Sequence, residues 1–292
     1  MLLRSLKLLM SKFLIKDQVQ IFLHPQQLTL VRLTGRFKKR VLHQAVIPCA
    51  PIHDGNQWTS TIAALGLALQ GAQWRDVKPT IVLSNHFVRY AVIPWNSLLN
   101  NAVEKQAYLK HCFTLAYGES TKSWDLRMSD AGLNMPALAS GIDQGLLSAI
   151  RDVMTQVNLD CQHIQPHLMI AINQLTKQDV IPAAQNSTWF VLLETGRLCI
   201  ALISGGAFVS VKTYAAEPDM AQQISALIKR ESVICGLDST DLPVFVSRGF
   251  HGSASENLAL IQNFDHPMIR VENDSWEASS APNSISQQAI RT

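Results

Sequence analysis

One order of elements is written twice along this chain, and it limits the fold more than composition does. From Val19 the residues fall into three strand-like pieces, Val19 to Leu23, Leu28 to Leu33 and Arg40 to Ile47. His24-Pro25-Gln26-Gln27 and the stretch Gly35 to Lys39 part them, which suits a meander. A helical run from Trp58 to Leu69 and a further strand complete the set. From Trp189 the order recurs as WFVLLE, RLCIALIS and AFVSVKTY, then a helix from Met220 to Cys235 and the strand LPVFVS. Two copies of strand, strand, strand, helix, strand predict a two-lobed α/β architecture with a cleft between the lobes.

Between the copies lies TIVLSNHFVRYAVIPW, residues 80 to 95. It reads as two short strands around the polar turn Ser84-Asn85-His86, because Ser and Asn satisfy their own backbone in turns. Pro94 cannot donate to a ladder, so the chain is expected to leave the first lobe's sheet at Pro94-Trp95. A helix from Ser97 to Tyr117, strands Ser123 to Met128 and Met135 to Ser140, and a helix from Gln144 to Val157 then form an inserted subdomain. The resulting division is a basic amphipathic helix at 1–17, a first lobe at 18–94 and the insert at 95–160. A connecting helix and linker at 161–188, a second lobe at 189–271 and a polar tail at 272–292, expected to be disordered, complete it.

Charge is unevenly spread. The first 43 residues carry nine Lys/Arg against one acid, Asp17; the whole chain nets +3, so the remainder is acidic at −5. Within that end, Leu2, Leu3, Leu6, Leu9, Met10, Phe13 and Leu14 share one helical face, with Arg4, Lys7, Lys12 and Lys16 mostly elsewhere. Such a helix fits either an anionic membrane surface or the protein's own body. The basic turn RFKKR, residues 36 to 40, comes without any RNA-binding or helix-turn-helix signature, so nucleic acid is not an expected partner. Five scattered cysteines with no C-x-x-C pair argue for a reducing compartment. No run reaches the roughly 18 apolar residues of a membrane span. These features predict a cytoplasmic protein, peripheral at most to a membrane. Cys161, His163 and His167 have ligand-like spacing, but no second cysteine pair completes a zinc site.

The repeated lobe with an insert after the first sheet resembles the actin-like ATPase superfamily, built on ribonuclease H-like repeats. It is most similar to the PilM branch of type IV pilus assembly and to the GspL cytoplasmic region of type II secretion. The matching stretches are TIVLSNHFVRYAVIPW with LLNNAVEKQAYLKHCF, then VNLDCQHIQPHLMIAINQL, WFVLLETGRLCIALISGGAFVSVKTY and QQISALIKRE, spanning roughly residues 18 to 265. The resemblance implies ATP and magnesium held by two hairpin turns, each offering a glycine's amides and a carboxylate. Here the first turn, FLHPQQLTL, has neither Asp nor Gly, and Pro25 removes a donor. The second, LLETGRLCI, keeps Glu194, Thr195 and Gly196, and VFVSRGFHG keeps Gly249 of the adenosine-side glycine pair.

The expected function is therefore a non-catalytic actin-like adaptor at an inner-membrane pilus or secretion platform, with no cofactor. The resemblance puts its partner at the junction of first lobe and insert, where Phe87, Arg89, Tyr90 and Trp95 are the candidate contacts. Two rival classes stand beside it: a nucleotide-binding actin-like ATPase, and a membrane-surface module acting through the N-terminal helix.

Overall fold

The computed structural model describes residues 16–35, 39–50, 56–99, 101–129, 132–177, 187–237, 242–248 and 268–271. Arg4, Lys7, Lys12, most of the 36–40 turn, Gly249 and the 272–292 tail lie outside the described residues.

Strands β1 (Gln18–His24), β2 (Gln27–Thr34) and β3 (Arg40–Pro48) form an antiparallel meander, followed by helix α1 (Thr59–Ala68). Strand β4 (Lys78–Leu83) then returns parallel to β1, with Leu23 opposite Leu83. The insert contributes β5 (Val88–Ile93), α2 (Ala102–Tyr117), β6 (Trp124–Met128), β7 (Ala137–Asp143) and α3 (Gln144–Gln156). Strand β8 (His163–Pro166) rejoins the first sheet parallel to β4 and runs directly into α4 (His167–Lys177). The second lobe repeats the plan with β9 (Thr188–Glu194), β10 (Arg197–Ser204), β11 (Ala207–Ala215), α5 (Met220–Ile234), β12 (Val244–Arg248) and β13 (Met268–Val271).

The two large sheets have matching order, β3-β2-β1-β4-β8 and β11-β10-β9-β12-β13. The duplicated pattern is thus a duplicated sheet, and each lobe gains one parallel edge strand beyond those expected. Strand β8 was expected as part of a helix and linker. Its four residues are too short to carry a periodic signal, and their strand state comes from pairing with β4.

The hand-over at residues 80–95 also differs from expectation. Strands β4 and β5 do not pair with each other; β5 pairs with β7 in a separate three-stranded sheet of order β5-β7-β6. The chain therefore leaves the first lobe at the Ser84–Phe87 turn, and Pro94-Trp95 ends a strand already inside the insert. Helix α2 starts at Ala102 and not at Ser97, because Asn101 caps it: its side chain accepts from the Glu104 amide at 2.9 Å.

Every residue of β9 is buried, as its unbroken apolar run requires. One face packs Trp189, Ile200, Ile224 and Ile228 into a core of the second lobe. The other face adds Phe190, Leu192 and Cys199 to a core that holds Leu23 and Leu83 of the first lobe and Ile142 of the insert. The lobes thus share apolar packing. Among the described residues no helix is long and apolar enough to cross a membrane.

Candidate functional site

Strands β1, β4 and β9 all end at the junction of the lobes, and each end carries a buried polar residue: His24, then Ser84 and Asn85, then Glu194. Carboxyl ends of parallel strands are where α/β folds place ligands. Here the side chains meet one another instead. Glu194, with 4 % of its side chain exposed, accepts from the Ser84 hydroxyl at 2.6 Å and from the Asn85 amide at 2.9 Å through Oε2. Its Oε1 lies 2.5 Å from Nδ1 of His167, the first residue of α4. A carboxylate can only accept, so Nδ1 of His167 carries the proton and donates. A negative charge beside the first turn of a helix is also favoured by the helix dipole.

The rest of the cluster follows from proton bookkeeping around that carboxylate. Ser84 gives its one proton to Glu194, so its oxygen accepts from the His86 amide at 3.2 Å and from His86 Nδ1 at 3.0 Å. His24 accepts from the Gln26 amide at Nδ1 and donates from Nε2 to the Thr195 carbonyl at 3.1 Å. That last bond ties the first hairpin turn to the second across 171 residues of sequence. The rings of His24 and His86 meet edge to face, 4.6 Å between centroids.

The electrostatics agree with this assignment. Burial alone would raise the Glu194 carboxyl, but the His167 bond and charge, Ser84 and the Asn85 amide overcome it and hold the pKa below the usual carboxylate range. Burial, helped by His24 and Arg197, pushes His86 down to about 4 against the opposing pull of Glu194. His24 is lowered as well, chiefly by burial. The cluster at neutral pH is one carboxylate ringed by donors and two neutral imidazoles.

Of the candidate cofactor residues, Glu194 is committed to these bonds, Thr195 gives its carbonyl to His24, and Gly196 closes the turn at φ +71. A glycine is suited to that left-handed turn whatever else it does. The cavity left between the turns, lined by His24, Pro25, Gln57, His86, Thr195 and Gly196, is about 230 Å³. Small-molecule sites usually offer roughly 300–1,000 Å³.

Of the candidate partner contacts, Phe87 and Tyr90 are buried in this chain's own core, so neither offers a surface in this conformation. Tyr90 donates instead to Asn85 Oδ1 at 2.7 Å. Arg89 is half-buried and donates from Nη1 to the His86 and Val88 carbonyls, bracing the hand-over turn. Trp95 is 45 % exposed and lines a groove of about 360 Å³ at the far end of the insert's sheet, with Leu99, Tyr108, Met128 and Leu133. Lys16 is exposed ahead of β1.

No protein-family model and no curated protein matches this sequence. Among solved structures the chain is similar to the PilM–PilN type IV pilus biogenesis complex, at TM-score 0.60 and 12% identity, covering 86% of this chain and 88% of that one. A Bacteroides thetaiotaomicron protein described as having an actin-like ATPase fold matches at TM-score 0.58 and 8% identity, covering 90% and 93%. The cytoplasmic domain of EpsL, an inner membrane component of the Vibrio cholerae type II secretion system, matches at TM-score 0.53 and 10% identity, covering 92% and 91%. The fold is actin-like. An actin-like ATPase fold implies a magnesium nucleotide held between the two hairpin turns. The residues present do not fit one: the first turn has no acid, the acid of the second faces inward, and the turns are bonded to each other.

Sequence reasoning missed Ser84, Asn85, His24 and His86 as site residues and weighed His167 only as a metal ligand. The usable signal was Ser84-Asn85-His86 interrupting an apolar run at a strand's carboxyl end.

Proposed function

We propose that this chain is a non-catalytic actin-like adaptor that acts on the cytoplasmic side of an inner-membrane pilus or secretion assembly. The observation that carries the reading is Glu194. The acid best placed to hold a metal is instead consumed by Ser84, Asn85 and His167 inside the protein. The fold likeness to PilM in complex with PilN and to the EpsL cytoplasmic domain supports the choice of machine. The same likeness offers an inner-membrane assembly protein as partner. Trp95 and the groove beside it, which mixes apolar side chains with Asn96, Ser97, Lys105 and Ser129, are the surface offered to that partner, since an exposed aromatic is a common interface anchor.

The test has two arms. Millimolar Mg-ATP is expected to leave the melting temperature unchanged, whereas saturation at a hundred times Kd would add about 2.7 kcal/mol. The cytoplasmic segment of an inner-membrane pilus or secretion assembly protein is expected to be captured by it, and Trp95→Ala to weaken capture at unchanged melting temperature. A magnesium-dependent stabilisation would restore the nucleotide-binding reading; a failure to capture such segments would remove the adaptor reading.

A further inference from the structure

We infer that Ser84, Asn85 and His167 form an anion cradle on the first-lobe side whose resident occupant is the Glu194 carboxylate, so that closure of the lobes depends on that tethered negative charge. This deepens the adaptor reading, on which it rests, by naming what holds the cleft shut. Three donors of different kinds converge on one carboxylate: a hydroxyl at 2.6 Å, a backbone amide at 2.9 Å and an imidazole N–H at 2.5 Å. They come from the end of β4 and the start of α4, while the carboxylate comes from the end of β9. Donors arranged this way bind an anion, and here the protein supplies the anion itself. The Asn85 side chain, wholly buried, is fixed by Tyr90, which holds the cradle's amide in place.

The device is sensitive to acid. Facing the carboxylate or its histidines are His86 from the β4–β5 turn, His24 from β1, His167 from α4, Arg197 and Cys199 from β10, and Arg89 and Tyr90 from β5. Protonating Glu194 turns one acceptor oxygen into a donor that opposes Ser84 or His167. Protonating His86 adds a cation where burial, Arg197 and Arg89 already disfavour one, and protonating His24 adds one that burial disfavours. Each event weakens closure, so the lobes open as pH falls.

The backbone amide of Asn85 reads the latch directly, because its hydrogen bond runs to Glu194. Its exchange in the full chain, followed by NMR and corrected for intrinsic rate, is expected to be slow at pH 7.5 and to lose protection towards pH 5. Glu194→Ala should cut the protection at least about tenfold, and sodium formate should restore part of it where sodium chloride at equal ionic strength does not. Ser84→Ala, which leaves the carboxylate in place, should give a smaller loss and decides the matter where Glu194→Ala does not fold. Protection unchanged in both variants, or recovered equally by formate and chloride, overturns the cradle. Partner capture by the variants is measured alongside: normal capture with lost protection upholds the latch, and lost capture with normal protection counts against the Trp95 surface alone.

Discussion

The hydroxyl of Tyr90 donates to Asn85 Oδ1 at 2.7 Å inside a core where the ring is 4 % exposed, and burial holds the phenol well above its ordinary pKa. Among the described residues Asn85 Nδ2 has no hydrogen-bond partner, so this one bond carries most of the side chain's polar satisfaction. Tyr90→Phe therefore removes a donor from a group that cannot reach water. The expected cost is about 1–3 kcal/mol in urea unfolding, with capture by a partner unaffected. Lost capture at unchanged stability would return Tyr90 to the interface that the sequence suggested for it. Sequence could not separate these roles, because an aromatic beside an arginine looks the same whether it anchors a partner or its own core. The sheet that buries it decides, and β5 belongs to the insert's sheet.

At the scale of elements, the meander strands were legible as short apolar runs parted by turn residues, and α3, α4 and α5 as apolar residues recurring at helical spacing. What was illegible depends on pairing across long stretches. The Ser84–Phe87 turn resembles a hairpin locally, yet it joins two sheets, since β4 is taken by β1 and β8 while β5 is taken by β7. Strand β7 shows the same limit. The expected strand stopped at Ser140, ahead of Gly141, whereas the actual strand runs on to Asp143, which then caps α3 by accepting from the Leu146 amide. Gly141 marks a close approach and not a strand end. A Cβ there would lie 2.8 Å from Trp124, 2.9 Å from Phe113 of α2 and 3.0 Å from Leu126. Gly141→Ala should force those rings off the sheet and cost about 1–3 kcal/mol. Circular dichroism and urea unfolding check it; a neutral result would mean that α2 packs more loosely on β6 and β7 than the structure has it.

For the whole molecule, two lobes with matching sheets are held together, among the described residues, by a shared apolar core and a polar cluster, and the polar cluster carries titratable groups. The sign of their response to pH can be worked out group by group. His86 is held near 4 in the folded chain against an ordinary value of 6.5, and His24 is also lowered. Between those values the unfolded chain binds protons that the folded chain refuses, so stability falls as pH drops from 6.5 towards about 4. Glu194 is lowered from 4.5, and its contribution, fully present above that value, is lost as pH falls through its folded pKa. All three groups act in the same direction, which makes acid a cooperative opener of the junction. The melting temperature should thus be level above about pH 7 and decline steadily below 6.5. His86→Phe, which keeps a ring of similar size against His24, should flatten the upper part of that decline while leaving the part below pH 4.5 that belongs to Glu194. A His86→Phe profile that parallels the wild type throughout would mean that other groups set the acid response and that His86 takes no part in it.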